Sequence, residues 1–291
     1  MDDFAGRVAV ITGAASGFGR EFARHAHARD MKLVLADVHD AALQEVVAEL
    51  QGQGADVRAL RVDVAQGEQV AQLAELAFSS FGAVHLLFNN AGVGSGGFIW
   101  ENAESDWQWV LGVNLWGVIH GVRHFVPRML ATGEVGHIVN TASVAGLLSS
   151  PNMGVYNVSK HAVVAYTETL YQDLKLAGSR LGVSLLCPAY VPTGIAASFR
   201  HRPAEFASDA PPTASQRMAQ AAIQKAVDSG KLSAADVARI TFDAIAAGRF
   251  YILTHPAILP TIELRCADIL QQRNPSDPYS TKPQVRPKFD G

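Results

Sequence analysis

Short apolar runs alternate with longer amphipathic stretches along most of the chain. The runs are rich in Val, Ile and Leu and lack polar alternation, which is typical of strands that are buried on both faces of a parallel sheet. We predict strands at residues 7–12, 32–36, 57–62, 84–88, 137–141, 183–187 and 250–253. The alternation of strand and helix signals predicts a single α/β domain built on a Rossmann-type, doubly wound parallel sheet of about seven strands.

Helical periodicity is clearest in two long segments, residues 105–130 and 155–176. Apolar residues there recur at helical spacing and occupy more than one face, which suits both the sheet-facing core and a contact between subunits. Shorter helices are predicted over residues 17–28, 41–50 and 261–272.

The periodic pattern breaks down between residues 194 and 230, where Arg200, His201, Arg202 and several prolines interrupt it. A connection of this length is either functional or disordered. We interpret it as a substrate lid, with a solvated insertion as the alternative. Beyond Asn274 the chain is rich in proline and charge, and we expect an extended tail.

Composition and charge argue against several classes of protein. The 291 residues are 48% hydrophobic, which supports a folded core and argues against disorder. The net charge is −3 with no basic stripe, so we expect no nucleic-acid partner. Cys187 and Cys266 form no metal-ligand motif, and we expect two buried, reduced thiols. With no signal peptide and no apolar run of ~20 residues, we expect a cytoplasmic protein without a membrane partner.

A glycine-rich turn lies between the first predicted strand and the first helix. Glycines allow a tight turn and close backbone approach to a diphosphate, and a helix N-terminus presents free N–H groups to the anion. A lone turn of this kind is a weak signal, but its placement strengthens it. The residues expected to contact a dinucleotide here are Gly13, Ser16, Gly17, Phe18 and Gly19.

Polar residues follow the next strands. Asp37 ends the second strand, where a carboxylate accepts the adenosine ribose hydroxyls of NAD and repels the 2′-phosphate of NADP. No basic residue stands at Val38 or Ala15, so we expect NAD. Ligands of open α/β sheets bind at the carboxyl ends of strands. The further cofactor-binding candidates at that edge are Asp63, Val64, Asn90, Ala91 and Gly92.

Five motifs together give this sequence a resemblance to the short-chain dehydrogenase/reductase family. They are TGxxxGxG at residues 12–19, NNAG at residues 89–92, Asn114, Ser143, and YxxxK from Tyr156 to Lys160. The resemblance covers roughly two thirds of the chain. Neither glycine turn nor YxxxK is specific alone, but both in order, with a serine thirteen residues before the tyrosine, form a specific signature.

The spacing of Tyr156 and Lys160 explains their chemistry. Residues four apart lie on one face of a helix, one turn from each other. A free phenol has a pKa of about 10, and a nearby ammonium favours the phenolate, as does the positive nicotinamide of NAD. Tyr156 is therefore expected to act as general base in alcohol oxidation and as general acid in ketone reduction. Ser143 is expected to hydrogen-bond the substrate oxygen, and Lys160 to hold the nicotinamide ribose.

The resemblance implies further roles. Asn114 would support a water that links Lys160 to solvent, and the stretch from Pro188 through Val191 to Thr193 would hold the carboxamide of the cofactor. The sequence departs from the family pattern in two places. Ala189 replaces the usual glycine, which places the detailed turn in question, and Phe18 replaces a β-branched aliphatic residue.

Other constellations are weaker. His120 and His124 are four apart on a helix but have no evident third ligand, so we expect surface or interface histidines and no metal. We expect an apolar substrate pocket. Its candidate residues are 95–100, Val144, Leu147, Met153, Tyr190, Ile195 and Phe199.

The sequence therefore predicts an NAD(H)-dependent oxidoreductase that interconverts a hydrophobic secondary alcohol and its ketone. Residues 1–255 would form the NAD-binding catalytic domain, and residues 256–291 a C-terminal helix and tail. The resemblance implies a homodimer or homotetramer built partly on the two long helices. The alternatives are an NADP-dependent carbonyl reductase, an enoyl reductase, which would usually space Tyr and Lys further apart, and a catalytically idle NAD-binding regulatory protein.

Overall fold

A computed structural model describes residues 1, 3–207, 210–281, 283 and 286. Seven parallel strands form one sheet in the order β3-β2-β1-β4-β5-β6-β7, which confirms the predicted fold class. The chain order reverses between β1 and β4, so the carboxyl ends of these two strands flank the crevice where ligands bind in such sheets. The strands are β1 Val8–Thr12, β2 Lys32–Asp37, β3 Val57–Arg61, β4 Leu86–Asn89, β5 Gly136–Thr141, β6 Leu181–Cys187 and β7 Tyr251–Leu253.

Helices cover both faces of the sheet. Successive residues of a strand point to opposite faces, so Ile11 packs on one side with α1, α2 and α8, and Val10 on the other with α3, α5 and α6. The ring of Phe22 stacks on that of Phe88 with centroids 4.5 Å apart and fixes α1 against the sheet. The helices are α1 Gly17–His27, α2 Asp40–Gly52, α3 Gly67–Phe81, α4 Glu104–Leu111, α5 Gly117–Thr132, α6 Gly154–Leu176, α7 Ala214–Asp228, α8 Ala234–Ala246 and α9 Leu259–Leu270.

The first long helical segment is not one continuous helix. A π-helical turn, Gly112–Trp116, separates α4 from α5, and the Gly117 N–H donates to the carbonyl oxygen of Gly112. Apolar periodicity runs through all three pieces, which is why the sequence pattern predicts a single helix. Wider turns of this kind are frequent at functional sites.

The segment of residues 194–230 contains more regular structure than its sequence pattern suggests. Short 3₁₀ turns at Gly194–His201 and Ala204–Phe206 are followed by α7. The side chains of Thr213 and Gln216 form a capping box that starts α7. This pair is visible in the sequence, but the prolines and charges before it conceal the helix.

The thiols differ in exposure. Cys187 is buried as expected, whereas Cys266 is exposed on α9, so the prediction of two buried thiols was wrong for Cys266. In the described part of the chain, no helix is both long and apolar enough to cross a membrane.

Candidate active site

A cavity of about 1660 Å³ opens at the carboxyl edge of the sheet. Of the predicted catalytic and cofactor-binding residues, only Gly19 and Asn114 do not line it, because both are buried behind its wall. Its walls contain Gly13, Ser16, Gly17, Phe18, Asp37, Asp63, Val64, Asn90, Ala91, Gly92, Ser143, Tyr156, Lys160, Pro188, Val191 and Thr193.

The glycine-rich turn is too tightly packed for side chains. Gly13 has φ +67°, and an ideal Cβ there would lie 2.9 Å from the Cα of Ala91. A Cβ on Gly19 would overlap the Gly13 carbonyl oxygen. Ser16 is the N-cap of α1 but makes no side-chain capping bond, and the first N–H groups of a helix have no intrahelical acceptor. The turn therefore fits a diphosphate at the start of α1.

Asp37 is fixed beside this turn. Its Oδ2 accepts a hydrogen bond from the Ala15 N–H at 2.9 Å, and its Oδ1 accepts one from the His39 N–H at 3.0 Å. The two bonds hold the carboxylate in the cavity wall at the end of β2, where it can accept hydroxyl groups of a ribose.

The loop after β4 is tied directly to β1. The backbone N–H of Asn90 donates to Thr12 Oγ1 at 2.9 Å, and its side-chain amide donates to the Thr12 carbonyl at 3.0 Å. These bonds position the Asn90–Gly92 backbone between the glycine-rich turn and Lys160.

Ser143, Tyr156 and Lys160 meet at the centre of the cavity. The Ser143 hydroxyl accepts a hydrogen bond from the Ala145 N–H at 3.1 Å and donates to the Pro188 carbonyl at 3.3 Å, and it acts to lower the pKa of the neighbouring Tyr156 phenol. Lys160 Nζ lies 5.7 Å from the centroid of the Tyr156 ring and donates to the Thr141 carbonyl at 2.9 Å. Tyr156 and Lys160 come from α6, whereas Ser143 comes from the loop after β5, so the tertiary fold joins the three groups.

Burial dominates the protonation of this group. It raises the pKa of Tyr156 to about 12, against a smaller, opposing effect of the Ser143 hydroxyl. It also lowers the pKa of Lys160 to about 8. The sequence predicts that the Lys160 ammonium favours the Tyr156 phenolate. In the chain without a cofactor, however, desolvation of the phenolate outweighs its stabilisation by Lys160, and the phenol keeps its proton.

Asn114 lies in the π-helical turn and braces the adjoining loop. Its side chain accepts from the Val93 N–H at 2.8 Å, donates to the Val93 carbonyl at 3.0 Å, and donates to Ser159 Oγ at 3.1 Å. An ideal Cβ on Gly92 would lie 3.4 Å from Asn114 Oδ1 and 3.6 Å from Lys160 Nζ, so the two groups face one small space.

Ala189 replaces the glycine of the family pattern without backbone strain. The residue does not adopt a positive φ, so a Cβ is acceptable there. Phe18 packs partly against the core, with its ring centroid 6.4 Å from that of Phe22, while its exposed side lines the cavity.

The substrate end of the cavity differs in part from the prediction. Ser95, Val144, Met153, Tyr190 and Ile195 line it as predicted. Three other assignments were wrong, because Leu147 packs into the core and the side chains of Phe199 and Trp100 are exposed. The other residues of the 96–100 stretch also lie outside the wall.

The C-terminal tail supplies wall residues that sequence reasoning missed. Buried Asp268 on α9 accepts hydrogen bonds from the N–H and hydroxyl of Ser276 and pairs with Arg273 at 2.8 Å. This fold-back brings Tyr279 to the cavity, whose wall also contains Ser150. No periodic signal marks this segment. Of the predicted extended tail, residues 282, 284, 285 and 287–291 lie outside the described residues.

His120 and His124 are half-buried on α5. His120 packs against Trp116, with ring centroids 5.4 Å apart. Burial lowers the pKa of both histidines. Within the described ranges, no group of three His, Cys, Asp or Glu side chains is placed to hold a metal ion.

Comparison with known proteins decides the family. Residues 7–204 match the family model described as short chain dehydrogenase. The chain belongs to the short-chain dehydrogenase/reductase family. Members of this family bind nicotinamide cofactors, and the cavity described above has the glycine-rich turn that such a cofactor requires.

Solved and curated relatives cover nearly the whole dehydrogenase. A short-chain dehydrogenase/reductase from Burkholderia phymatum, solved in complex with NAD, is 61% identical with a TM-score of 0.95, and the match covers 96% of this chain and 100% of that one. The "CLA biosynthesis dehydrogenase/reductase" of Lactiplantibacillus plantarum is 34% identical over 94% of this chain and 97% of its own length. The "C alpha-dehydrogenase" of a Sphingobium species is 34% identical over 98% and 93%.

Proposed function

We propose that this dehydrogenase interconverts a hydrophobic secondary alcohol and its ketone with NAD(H), using Tyr156 as the general acid/base. The observation that carries the proposal is that Ser143, Tyr156 and Lys160 line the same cavity as the glycine-rich turn, with Lys160 Nζ 5.7 Å from the Tyr156 ring centroid. This arrangement supports the proposal, because a hydroxyl donor and a titratable phenol in one cavity wall would both be able to contact one substrate oxygen.

The chain's own groups would handle the proton. In oxidation, the Tyr156 oxygen removes the hydroxyl proton of the alcohol while Ser143 holds the same oxygen. In reduction, the Tyr156 phenol returns a proton to the carbonyl oxygen. Lys160 stabilises the phenolate electrostatically, and its fixed bond to Thr141 keeps its Nζ near the ring. When bound, the nicotinamide supplies the site that accepts or gives up the hydride.

NAD is the proposed cofactor. The Asp37 carboxylate is held in the cavity wall by two backbone N–H groups and suits ribose hydroxyls. Its negative charge opposes a 2′-phosphate. The structure of the Burkholderia phymatum relative in complex with NAD supports the same choice.

The cavity lining supports an apolar substrate. Aromatic and aliphatic side chains from three regions surround the reactive groups, with Trp109 on α4, Ile223 on α7, and Met153, Tyr190 and Tyr279 on loops and the tail. Binding in such a cavity is favourable because apolar surface of the substrate and of the wall is removed from water. A few polar groups then fix the orientation of the substrate. An aryl-alkyl carbinol or an alicyclic alcohol has the required combination of one hydroxyl and an apolar body.

The remaining expectations belong to the same proposal. The segment from Gly194 to residue 230 would act as the substrate lid, and two or four copies would associate partly through α5 and α6. We expect the protein to work in the cytoplasm with a small-molecule substrate and no nucleic-acid partner.

A screen of secondary alcohols with NAD and with NADP tests the proposal. We expect formation of NADH from NAD with aryl-alkyl or alicyclic alcohols, and little NADPH from NADP. Stronger turnover with NADP would replace the proposal by an NADP-dependent carbonyl reductase. Tight NADH binding without turnover of any alcohol or ketone would favour an idle, NAD-binding regulatory protein.

A further inference from the structure

The 3₁₀ segment Gly194–His201 crosses the part of the cavity next to the glycine-rich turn. An ideal Cβ on Gly17, the first residue of α1, would lie 3.4 Å from the Cβ of Thr193. An ideal Cβ on Gly194 would lie 3.0 Å from a terminal guanidinium nitrogen of Arg200. Arg200 therefore lies over the backbone that follows Thr193, close to the N-terminus of α1.

The C-terminal end of this segment reaches the part of the cavity wall that contains Asp37. The His201 ring contacts that of His39, with ring centroids 3.9 Å apart, and His39 lies two residues after Asp37. His201 also interacts electrostatically with both Asp37 and Arg200. The segment thus crosses the cavity from the start of α1 to the end of β2.

Two arginines of this region have different surroundings. Arg202 is engaged by the protein, because it pairs with Asp106 and donates to Ser105 Oγ at 2.9 Å. Arg200 lines the cavity and donates from Nε to His201 at 2.9 Å, and within the described ranges no carboxylate lies within salt-bridge distance of it. Among the described residues, none accepts a hydrogen bond from its terminal nitrogens, which leaves them available to a ligand there.

The glycine-rich turn lacks a cation of its own. Residues 12–19 contain no Lys or Arg, and Arg20 just beyond them pairs with Glu49. The partial charge at a helix N-terminus compensates only part of the charge of a diphosphate. A planar guanidinium opposite the turn is suited to bidentate binding of two phosphate oxygens.

We propose that Arg200 binds the diphosphate of the dinucleotide and that Gly194–His201 is a strap over the bound cofactor. The inference rests on the proposed binding of NAD(H). Arg200 is one of the basic residues that interrupt the periodic sequence pattern after residue 194, and the proposal gives it a role in cofactor binding. This role is separate from any contact that the rest of residues 194–230 makes with substrate.

Binding of nucleotide fragments to Arg200→Ala tests the proposal without turnover. NADH binding is followed by fluorescence, and binding of ADP and adenosine by calorimetry. We expect the Kd for NADH and for ADP to rise about 10- to 100-fold, as for loss of a charge-assisted contact, while the Kd for adenosine stays unchanged. Arg200→Lys should regain part of the loss, and the affinity of Arg200→Ala should depend less steeply on salt.

Arg217→Ala is the matched control, since Arg217 is an exposed arginine on α7 outside the cavity wall. Unchanged NADH binding by Arg200→Ala would overturn the proposal, as would an equal loss for adenosine. A loss confined to NADPH and 2′,5′-ADP would also overturn it, because Arg200 would then receive a 2′-phosphate. A wild-type chain that binds no NADH would remove the proposed function as well, whereas normal binding by Arg200→Ala would remove this inference alone.

Discussion

Lys160 Nζ donates a hydrogen bond at 2.9 Å to the carbonyl oxygen of Thr141, the last residue of β5. This bond joins α6 to the carboxyl edge of the sheet inside the cavity wall. Because Tyr156 lies one turn earlier on the same helix, its phenol faces Ser143 in the loop that leaves β5. This helix-to-strand contact thus helps to hold the proposed proton-transfer group in place.

Tyr156→Phe tests the role of the phenol. The change removes only the hydroxyl, so we expect turnover to fall about 10²- to 10⁴-fold, the usual contribution of general acid/base catalysis. NADH affinity should change little. Steady-state kinetics and NADH fluorescence measure the two effects. Tyr171→Phe is the control, since Tyr171 packs against Phe250 away from the cavity. Retained turnover in Tyr156→Phe would refute the assignment.

The pH dependence of the two directions should be opposite. Burial lowers the pKa of Lys160 to about 8 and raises that of Tyr156 to about 12, so the first proton leaves the pair near pH 8. Such a pair titrates as a unit. Oxidation requires loss of that proton, so its kcat/KM should rise with pH and level off near pH 8, whereas reduction should decline above it.

Lys160→Arg identifies the group responsible for this pH dependence. A guanidinium keeps its charge over the whole range. The inflection near pH 8 should therefore move to higher pH in whatever activity remains. An unmoved inflection would assign the titration to another group.

Asp37→Ala combined with Val38→Arg tests the choice of cofactor. The double change removes the carboxylate that opposes a 2′-phosphate and adds a guanidinium next to it. We expect the ratio of kcat/KM for NAD to that for NADP to fall by at least about tenfold. Asp40→Ala, at the start of α2, is the control. An unchanged ratio would mean that the adenosine ribose lies elsewhere.

Asp268→Ala should release the C-terminal tail from α9. Asp268 is buried and holds Ser276 and Arg273, so its loss leaves their donors without an acceptor. We expect several-fold faster tryptic cleavage after Arg273, together with a higher KM for large apolar alcohols, because Tyr279 leaves the cavity wall. Cys266→Ser on the same helix should leave both unchanged. Intact protection of the tail would show that other contacts hold it.

His137 should make the fold sensitive to acid. Burial, with a smaller effect of the N-terminal ammonium, lowers the pKa of His137 to about 3 from its ordinary 6.5. Between these values the unfolded chain binds more protons, so the free energy of unfolding falls as pH falls, by up to about 1.4 kcal/mol per pH unit.

Denaturant unfolding of wild type and His137→Gln between these two pH values checks the expectation. Gln keeps a donor for Ser184, the hydrogen-bond partner of His137 Nε2. The variant should lose much of the acid dependence. His27→Gln, on α1, is the control. Identical pH profiles of wild type and His137→Gln would contradict the prediction.

The sequence by itself determined the sheet and most of the residues that line the candidate site. Continuous apolar strands and amphipathic helices encode burial directly, since both are periodic in the residues that leave water. Tyr156 and Lys160 are neighbours through helix geometry alone. The glycine-rich turn is visible in the sequence because a side chain at Gly13 or Gly19 would clash with the surrounding backbone. Local spacing was therefore enough for each of these features.

The tertiary structure alone decided what depends on long-range packing. No periodic sequence pattern marks three of these features, because each is set by contacts between distant segments. They are the π-helical turn around Asn114, the fold-back of Tyr279, and the placement of Arg200 over the start of α1. The same holds for the protonation of Tyr156. Its motif predicts a favoured phenolate, but the raised pKa follows from how deeply the folded chain buries the phenol.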